Sequence, residues 1–159
     1  MTSLQALAAQ VAARLQERKQ TIAVAESSAG GLINAALVAV PGASAYYLGG
    51  EIIYTAAARE QVLRITREEM KGLRSASEPY ARLVAQRVRE QLGATWGLAE
   101  TGASGPTGNR YGDAPGHACF AVSGPVELVT TLETGSADRK ANMQRFARAA
   151  LELLLTAMR

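Results

Sequence analysis

The segment Ala25-Glu26-Ser27-Ser28-Ala29-Gly30-Gly31 joins one apolar run, Thr21 to Val24, to another, Leu32 to Val40. This order reads as a buried strand, a small polar turn, two glycines and a helix. It sets hydroxyls and unpaired backbone N–H groups at the carboxyl end of a sheet, where a helix N-terminus carries partial positive charge. Such a turn can hold a phosphate or an oxyanion. The same serines also suit plain helix N-caps. Two other segments have comparable placement. Tyr54-Thr55-Ala56-Ala57-Ala58-Arg59 puts a phenol at a strand end and a guanidinium about one turn into the next helix. Taken alone, it reads more simply as a packed tyrosine and a solvated arginine. Gly102-Ala103-Ser104-Gly105-Pro106-Thr107-Gly108 follows a strand, so its amides lie at the sheet edge where α/β proteins bind ligands. It is neither a Walker loop nor a dinucleotide fingerprint, because the lysine, the spacing and the following helix are missing. It could also be a simple surface loop.

Other residues offer less. His117 and Cys119 alternate on one strand face, which suits core packing. Asp138 and Arg139 open the last helix; the aspartate suits the helix dipole and the arginine can reach a phosphate. No Ser/His/Asp set and no paired carboxylates stand out. One histidine and one cysteine exclude a multi-histidine or cysteine-based zinc centre. No metal and no cofactor is expected.

These positions need elements to hold them. Ser3 caps a helix whose apolar face runs Leu4, Leu7, Ala8, Val11, Ala12 and Leu15. Thr21–Glu26 is the first strand and Gly30–Val40 the second helix, stopped by Pro41-Gly42. A helical turn over 43–48 precedes a strand over Gly50–Tyr54. Ala56–Ile65 is helical, and Thr66-Arg67-Glu68-Glu69 resembles a capping box opening a short helix. Ser77 caps a long helix to Leu92, with Pro79 in its first turn. Strands are expected at Thr95–Thr101, His117–Ser123 and Val126–Glu133, the last two as a hairpin over Gly124-Pro125. Gly102–Gly116 is loop, and Ala137–Met158 is the closing helix. Alternating helices and strands followed by a hairpin predict a single-domain three-layer α/β sandwich with a mixed sheet, spanning 1–159.

The bulk figures agree. A chain of 159 residues makes one domain with a full core. Of its residues, 48% are hydrophobic and 19% charged, as in ordinary globular proteins. No apolar run reaches the ~18 residues of a membrane span, and no signal-peptide pattern starts the chain. One cysteine suits a reducing, cytoplasmic setting. The net charge of +3 is dispersed and favours a phosphorylated small molecule over nucleic acid, and eight aromatic residues make a base-stacking surface a poor fit.

Taken in order, the segments 25–31, 54–59, Ser77-Glu78-Pro79, 102–108 and Gly135 with Asp138-Arg139 resemble the CinA C-terminal domain family. These are the nicotinamide mononucleotide deamidases. The family pattern is Ala-Glu-Ser-Cys/Ser-Thr-Gly-Gly, Tyr-Ser-Asn-x-x-Lys, Ser-Glu-Pro, Gly-x-x-Gly-Pro-x-Gly and a Gly-Asp-Arg-like helix start. The resemblance implies hydrolysis of the carboxamide of nicotinamide mononucleotide to nicotinate mononucleotide and ammonia, by a homodimer. It carries the family's nucleophile onto Ser27 and its tyrosine onto Tyr54. Its activating lysine falls on Arg59, which keeps its proton at any working pH and is a poor general base. Tyr54 as phenolate beside Arg59 could substitute. Glu26, Ser28, Gly30, Gly31, Ser104, Gly105, Gly108 and Arg139 are expected to bind the nucleotide, with backbone N–H groups near 28–31 or in the 102–108 loop holding the oxyanion. The alternative is a non-catalytic nucleotide-binding or regulatory paralogue that has lost its base. Ala29, Ala56, the inserted Ser136-Ala137 and the stretch Asn109–Asp113 also depart from the pattern, as does the absence of an arginine usual further along the last helix.

Overall fold

The computed structural model describes all residues 1–159. Helix α1 (Leu4–Arg18) leads into strand β1 (Ile22–Glu26), then α2 (Leu32–Val38), a 3₁₀ turn (Ala43–Ala45), β2 (Tyr47–Ile52) and α3 (Ala56–Gln61). Next come α4 (Glu78–Leu92), β3 (Trp96–Ala103), β4 (His117–Ser123), β5 (Leu128–Glu133) and α5 (Arg139–Ala157). The five strands form one sheet in the order β2-β1-β3-β4-β5. β1 pairs parallel with both β2 and β3, while β3–β4 and β4–β5 are antiparallel. The expected mixed-sheet sandwich is therefore present.

Side-chain size along the strands decides how the two helical layers sit. Ile22, Val24, Trp96, Leu98, Phe120 and Val122 face α1, α2 and α5. The alternate residues Ala23, Ala25, Ala99, Cys119 and Ala121 face α4. This is the period of two expected of strands buried on both sides. The large side chains fill the space under three helices. The small ones let α4 ride close, so close that a Cβ on Gly97 would lie 2.1 Å from the Ala85 carbonyl oxygen. No helix is long and apolar enough to cross a membrane.

Several boundaries differ from the sequence reading. β2 starts and ends earlier than Gly50–Tyr54, so Tyr54 lies beyond the strand. The reason is in its register: Tyr47 already pairs with Ile22. β3 extends through Gly102 and Ala103, held by Ala118 and His117 of β4. Thr66 and Glu69 do exchange capping-box hydrogen bonds, but the residues after them form turns, not a helix.

The chain leaves β1 for β2 on one side and reaches β3 on the other. The carboxyl ends of β1 and β3 therefore flank a switch point, the usual crevice of open α/β sheets.

Candidate functional site

The turn after β1 is built on two buried carboxylates. Glu26, the last residue of β1, is 1% exposed and accepts hydrogen bonds from the N–H groups of Gly31 (3.1 Å), Ile33 (3.1 Å) and Asn34 (2.8 Å), and from the Asn34 side-chain amide (2.7 Å). Glu100 follows Ala99, the β3 partner of Ala25. It is 2% exposed and accepts from the N–H groups of Ser27 (2.9 Å) and Ala29 (2.8 Å) and from the Ser28 hydroxyl. Gly30 N–H and Leu32 N–H bond to the carbonyls of Ser27 and Ala29. From Ser27 to Asn34 only the Ser28 amide has no acceptor. This corrects two expectations. Of the 28–31 amides expected to hold an oxyanion or phosphate, those of Ala29, Gly30 and Gly31 are already committed and only that of Ser28 is free, and Glu26 faces the helix N-terminus rather than the cleft. Paired carboxylates do exist. The available signal was a glutamate ending each of two apolar runs, Thr21–Ala25 and Trp96–Ala99. Desolvation pushes both carboxyls up. Four hydrogen bonds restrain Glu26, whereas Glu100, with Glu26 adding repulsion, reaches about 7.

Outside this turn lies a cleft of two adjoining chambers. The first, about 270 Å³, is lined by Ser27, Tyr54, Arg59, Ser75, Tyr80, Thr101 and Tyr111 among others. The second, about 260 Å³, is lined by Ser28, Ser104, Gly105, Thr107, Gly108 and Arg139. Tyr54, Gly102 and Asn109 border both. Of the sequence-derived residues, the cleft thus gathers Ser27, Ser28, Tyr54, Arg59, Ser104, Gly105, Gly108 and Arg139. It leaves out Glu26, Gly30 and Gly31, which shape the turn behind it; both glycines have φ in the left-handed region, 69° and 100°.

The Ser27 hydroxyl makes no hydrogen bond, unlike that of Ser28. Thr55 caps α3 through the Ala58 N–H (3.1 Å), and Arg59 follows one turn later. Its guanidinium turns away from Tyr54. Nη1 lies 3.4 Å from Ser75 Oγ and the group stands 5.8 Å over the Tyr80 ring. The partner of the Tyr54 phenol is Arg139, whose Nη2 donates to its oxygen at 2.9 Å while Nη1 donates to the Gly105 carbonyl at 2.6 Å. The expected Tyr54–Arg59 pair is replaced by Tyr54–Arg139. Arg139 reaches there because Asp138 caps α5, accepting from Ala141 N–H. Gly105, at φ 107°, cannot carry a side chain: its Cβ would lie 2.6 Å from the Ala137 carbonyl oxygen.

The outer wall of the first chamber is the strap Arg74–Ser77. Ala76 sits at φ 58°, a costly region for alanine. Its N–H donates to Thr101 Oγ1 (3.0 Å) and its carbonyl accepts from His117 Nε2 (2.7 Å). The other His117 nitrogen donates to Glu133, and Asp113 Oδ2 lies 3.5 Å away. Arg74 grips Asp113 through both terminal nitrogens, at 2.7 and 3.3 Å. Burial works against charge on His117, but Ala76, Glu133 and Asp113 outweigh it, so its pKa is raised. His117 and Cys119 are buried as read, but the histidine also works as a strut.

A three-layer sandwich with its cleft at the carboxyl ends of parallel strands, and a serine turn and a glycine loop facing it, defines a class of open-sheet α/β domains. The CinA C-terminal domain profile matches residues 4–158, and the chain belongs to that family. A CinA-like protein of Anaeromyxobacter dehalogenans is 38% identical over 94% of this chain and 36% of its own length. One from Parasynechococcus marenigrum is 39% identical over 83% of this chain and 32% of its own. The chain thus spans about a third of these relatives. The crystal structure of a competence-damaged protein (CinA) superfamily protein from Enterobacter cloacae superposes with a TM-score of 0.92 at 25% identity, covering 100% of this chain and 94% of that one. A competence/damage-inducible protein from Agrobacterium tumefaciens gives 0.92 at 25% identity, covering 100% and 98%.

Proposed function

We propose that this domain is an amidohydrolase that cleaves the carboxamide of nicotinamide mononucleotide through a serine nucleophile. The observation that carries this reading is the unengaged Ser27 hydroxyl, facing a chamber that opens onto a second one bearing Arg139, Ser104 and a glycine loop. The ring and its carboxamide occupy the first chamber, between Tyr80 and Tyr111, and the phosphate the second. The amides of Thr107 and Gly108 donate to no protein group and are free to meet an anion. Ser27 attacks the carboxamide carbon, ammonia leaves, and water releases the acid from the acyl-enzyme.

Arg59 favours a second reading, a nucleotide-binding paralogue without turnover. No lysine, histidine or carboxylate lines the first chamber, which leaves its phenols, Tyr54, Tyr80 and Tyr111, as proton acceptors, and Tyr54 is the one held by Arg139.

Ammonia release from nicotinamide mononucleotide by the purified protein tests both. Ser27→Ala is expected to lower kcat/KM by at least ~10³-fold with the fold intact. If Tyr54 takes the proton, Tyr54→Phe is crippling and Arg59→Lys gains little. If the base has been lost, wild type is nearly inert and Arg59→Lys raises the rate. Inertness of wild type, Tyr54→Phe and Arg59→Lys alike, with tight binding, establishes the second reading.

A further inference from the structure

Arg59 and Arg139 are the only ionic side chains lining the cleft, one in each chamber, and no carboxylate lines either. Neither guanidinium lies within ion-pair distance of an acidic group. Each chamber also holds an orphan. Arg59 Nε is buried without an acceptor, and its Nη1 has only the long contact to Ser75. Ser104 is 2% exposed, and its hydroxyl is buried without a partner. A partly buried cation with an unmet donor is costly to keep. A ligand that supplies the missing negative charge removes that cost. An arginine fork, unlike an ammonium, matches a carboxylate with two parallel hydrogen bonds. Tyr80 and Tyr111 bound the same chamber, with Arg59 over the Tyr80 ring at 5.8 Å and Arg74 and Arg110 over that of Tyr111 at 5.2 and 5.3 Å.

From this we infer that the cleft is matched to a phosphomonoester whose planar ring bears a carboxylate, the carboxylate meeting Arg59 and the phosphate meeting Arg139 and Ser104. The ligand orientation rests on the function proposed above. The two-cation character of the cleft does not. A neutral carboxamide leaves Arg59 uncompensated, so the acid binds more tightly than the amide. If the amide is the substrate, its product is held at Arg59.

Calorimetric titration with nicotinate mononucleotide and nicotinamide mononucleotide tests this on wild type, Arg59→Gln and Arg139→Gln. Wild type is expected to bind the acid at least about tenfold more tightly than the amide. Arg59→Gln brings the ratio close to one. Arg139→Gln weakens both ligands and leaves the ratio. Equal or tighter binding of the amide by wild type overturns the inference, as does a ratio unmoved by Arg59→Gln. Should Arg59→Gln not fold, the wild-type ratio alone decides. Ammonia release from the same preparations separates the two conclusions. Acid preference without ammonia upholds this inference and removes the hydrolase, whereas ammonia without acid preference does the opposite.

Discussion

The Glu100 carboxyl, pushed to about 7, is close to half ionised at neutral pH. Its ordinary value is 4.5, so between these two values the folded protein holds a proton that the unfolded chain has released. Stability from this group therefore falls as pH rises from about 4.5 to 7 and is flat beyond. The effect amounts to about 3 kcal/mol at one unit per 1.36 kcal/mol. Glu100→Gln removes it and keeps an oxygen for the Ser27 and Ala29 amides. Urea unfolding of both proteins from pH 4.5 to 8 is expected to show wild type losing ground to the variant across that window. A difference independent of pH means another group titrates. The sequence could announce Ser27, Ser28 and the glycines, because residue type and turn position mark them. It could not announce Glu100. A glutamate after an apolar run looks the same whether it meets solvent or a neighbouring turn, and only the pairing of β1 with β3 decides.

Helix and strand identities were readable where a hydrophobic period was present, whereas the Thr66 capping box alone opens only turns. Ser3, Thr55, Ser77 and Asp138 all cap the helices that follow them. What failed was strand extent, set by partner strands, and the segment 62–76, whose shape depends on contacts far along the chain. The strap Arg74–Ser77 depends on β4, through His117. The folded pKa of His117 lies above its ordinary 6.5. Its contribution is thus complete below about 6.5 and is lost as pH rises through the folded value. Glu133 is more than half exposed, which discounts its share. The bond from the charged, buried ring to the Ala76 carbonyl amounts to about 1.5–3 kcal/mol. Thermal unfolding of His117→Gln is expected to show that deficit at pH 6 and a smaller one at pH 8. A deficit that grows with pH rules out the charged strut. Asp113, Cys119 and, through Asp113, Arg74 face the same ring and share in the titration.

At the scale of the molecule, the cleft adds its own dependence on ligand. Anything bound only by the folded state stabilises it by mass action, about 2.7 kcal/mol at a hundred times its Kd. For a chain of 159 residues this is a rise in Tm of roughly 5–10 °C. Nicotinamide mononucleotide at that excess is expected to produce such a rise, and the riboside without phosphate a clearly smaller one at the same concentration. Equal shifts mean the second chamber does not take the phosphate.

The two glutamates also divide the cleft by mobility. Opening the 27–34 turn strips several amides from carboxylates rooted in the central strands, so the turn cannot fray by itself and moves only when the sheet does. The opposite wall hangs from a few side-chain contacts of Ala76, Arg74 and Asp113. The floor of the cleft is thus tied to the sheet through main-chain amides, and its wall through the side chains of Thr101, His117 and Asp113.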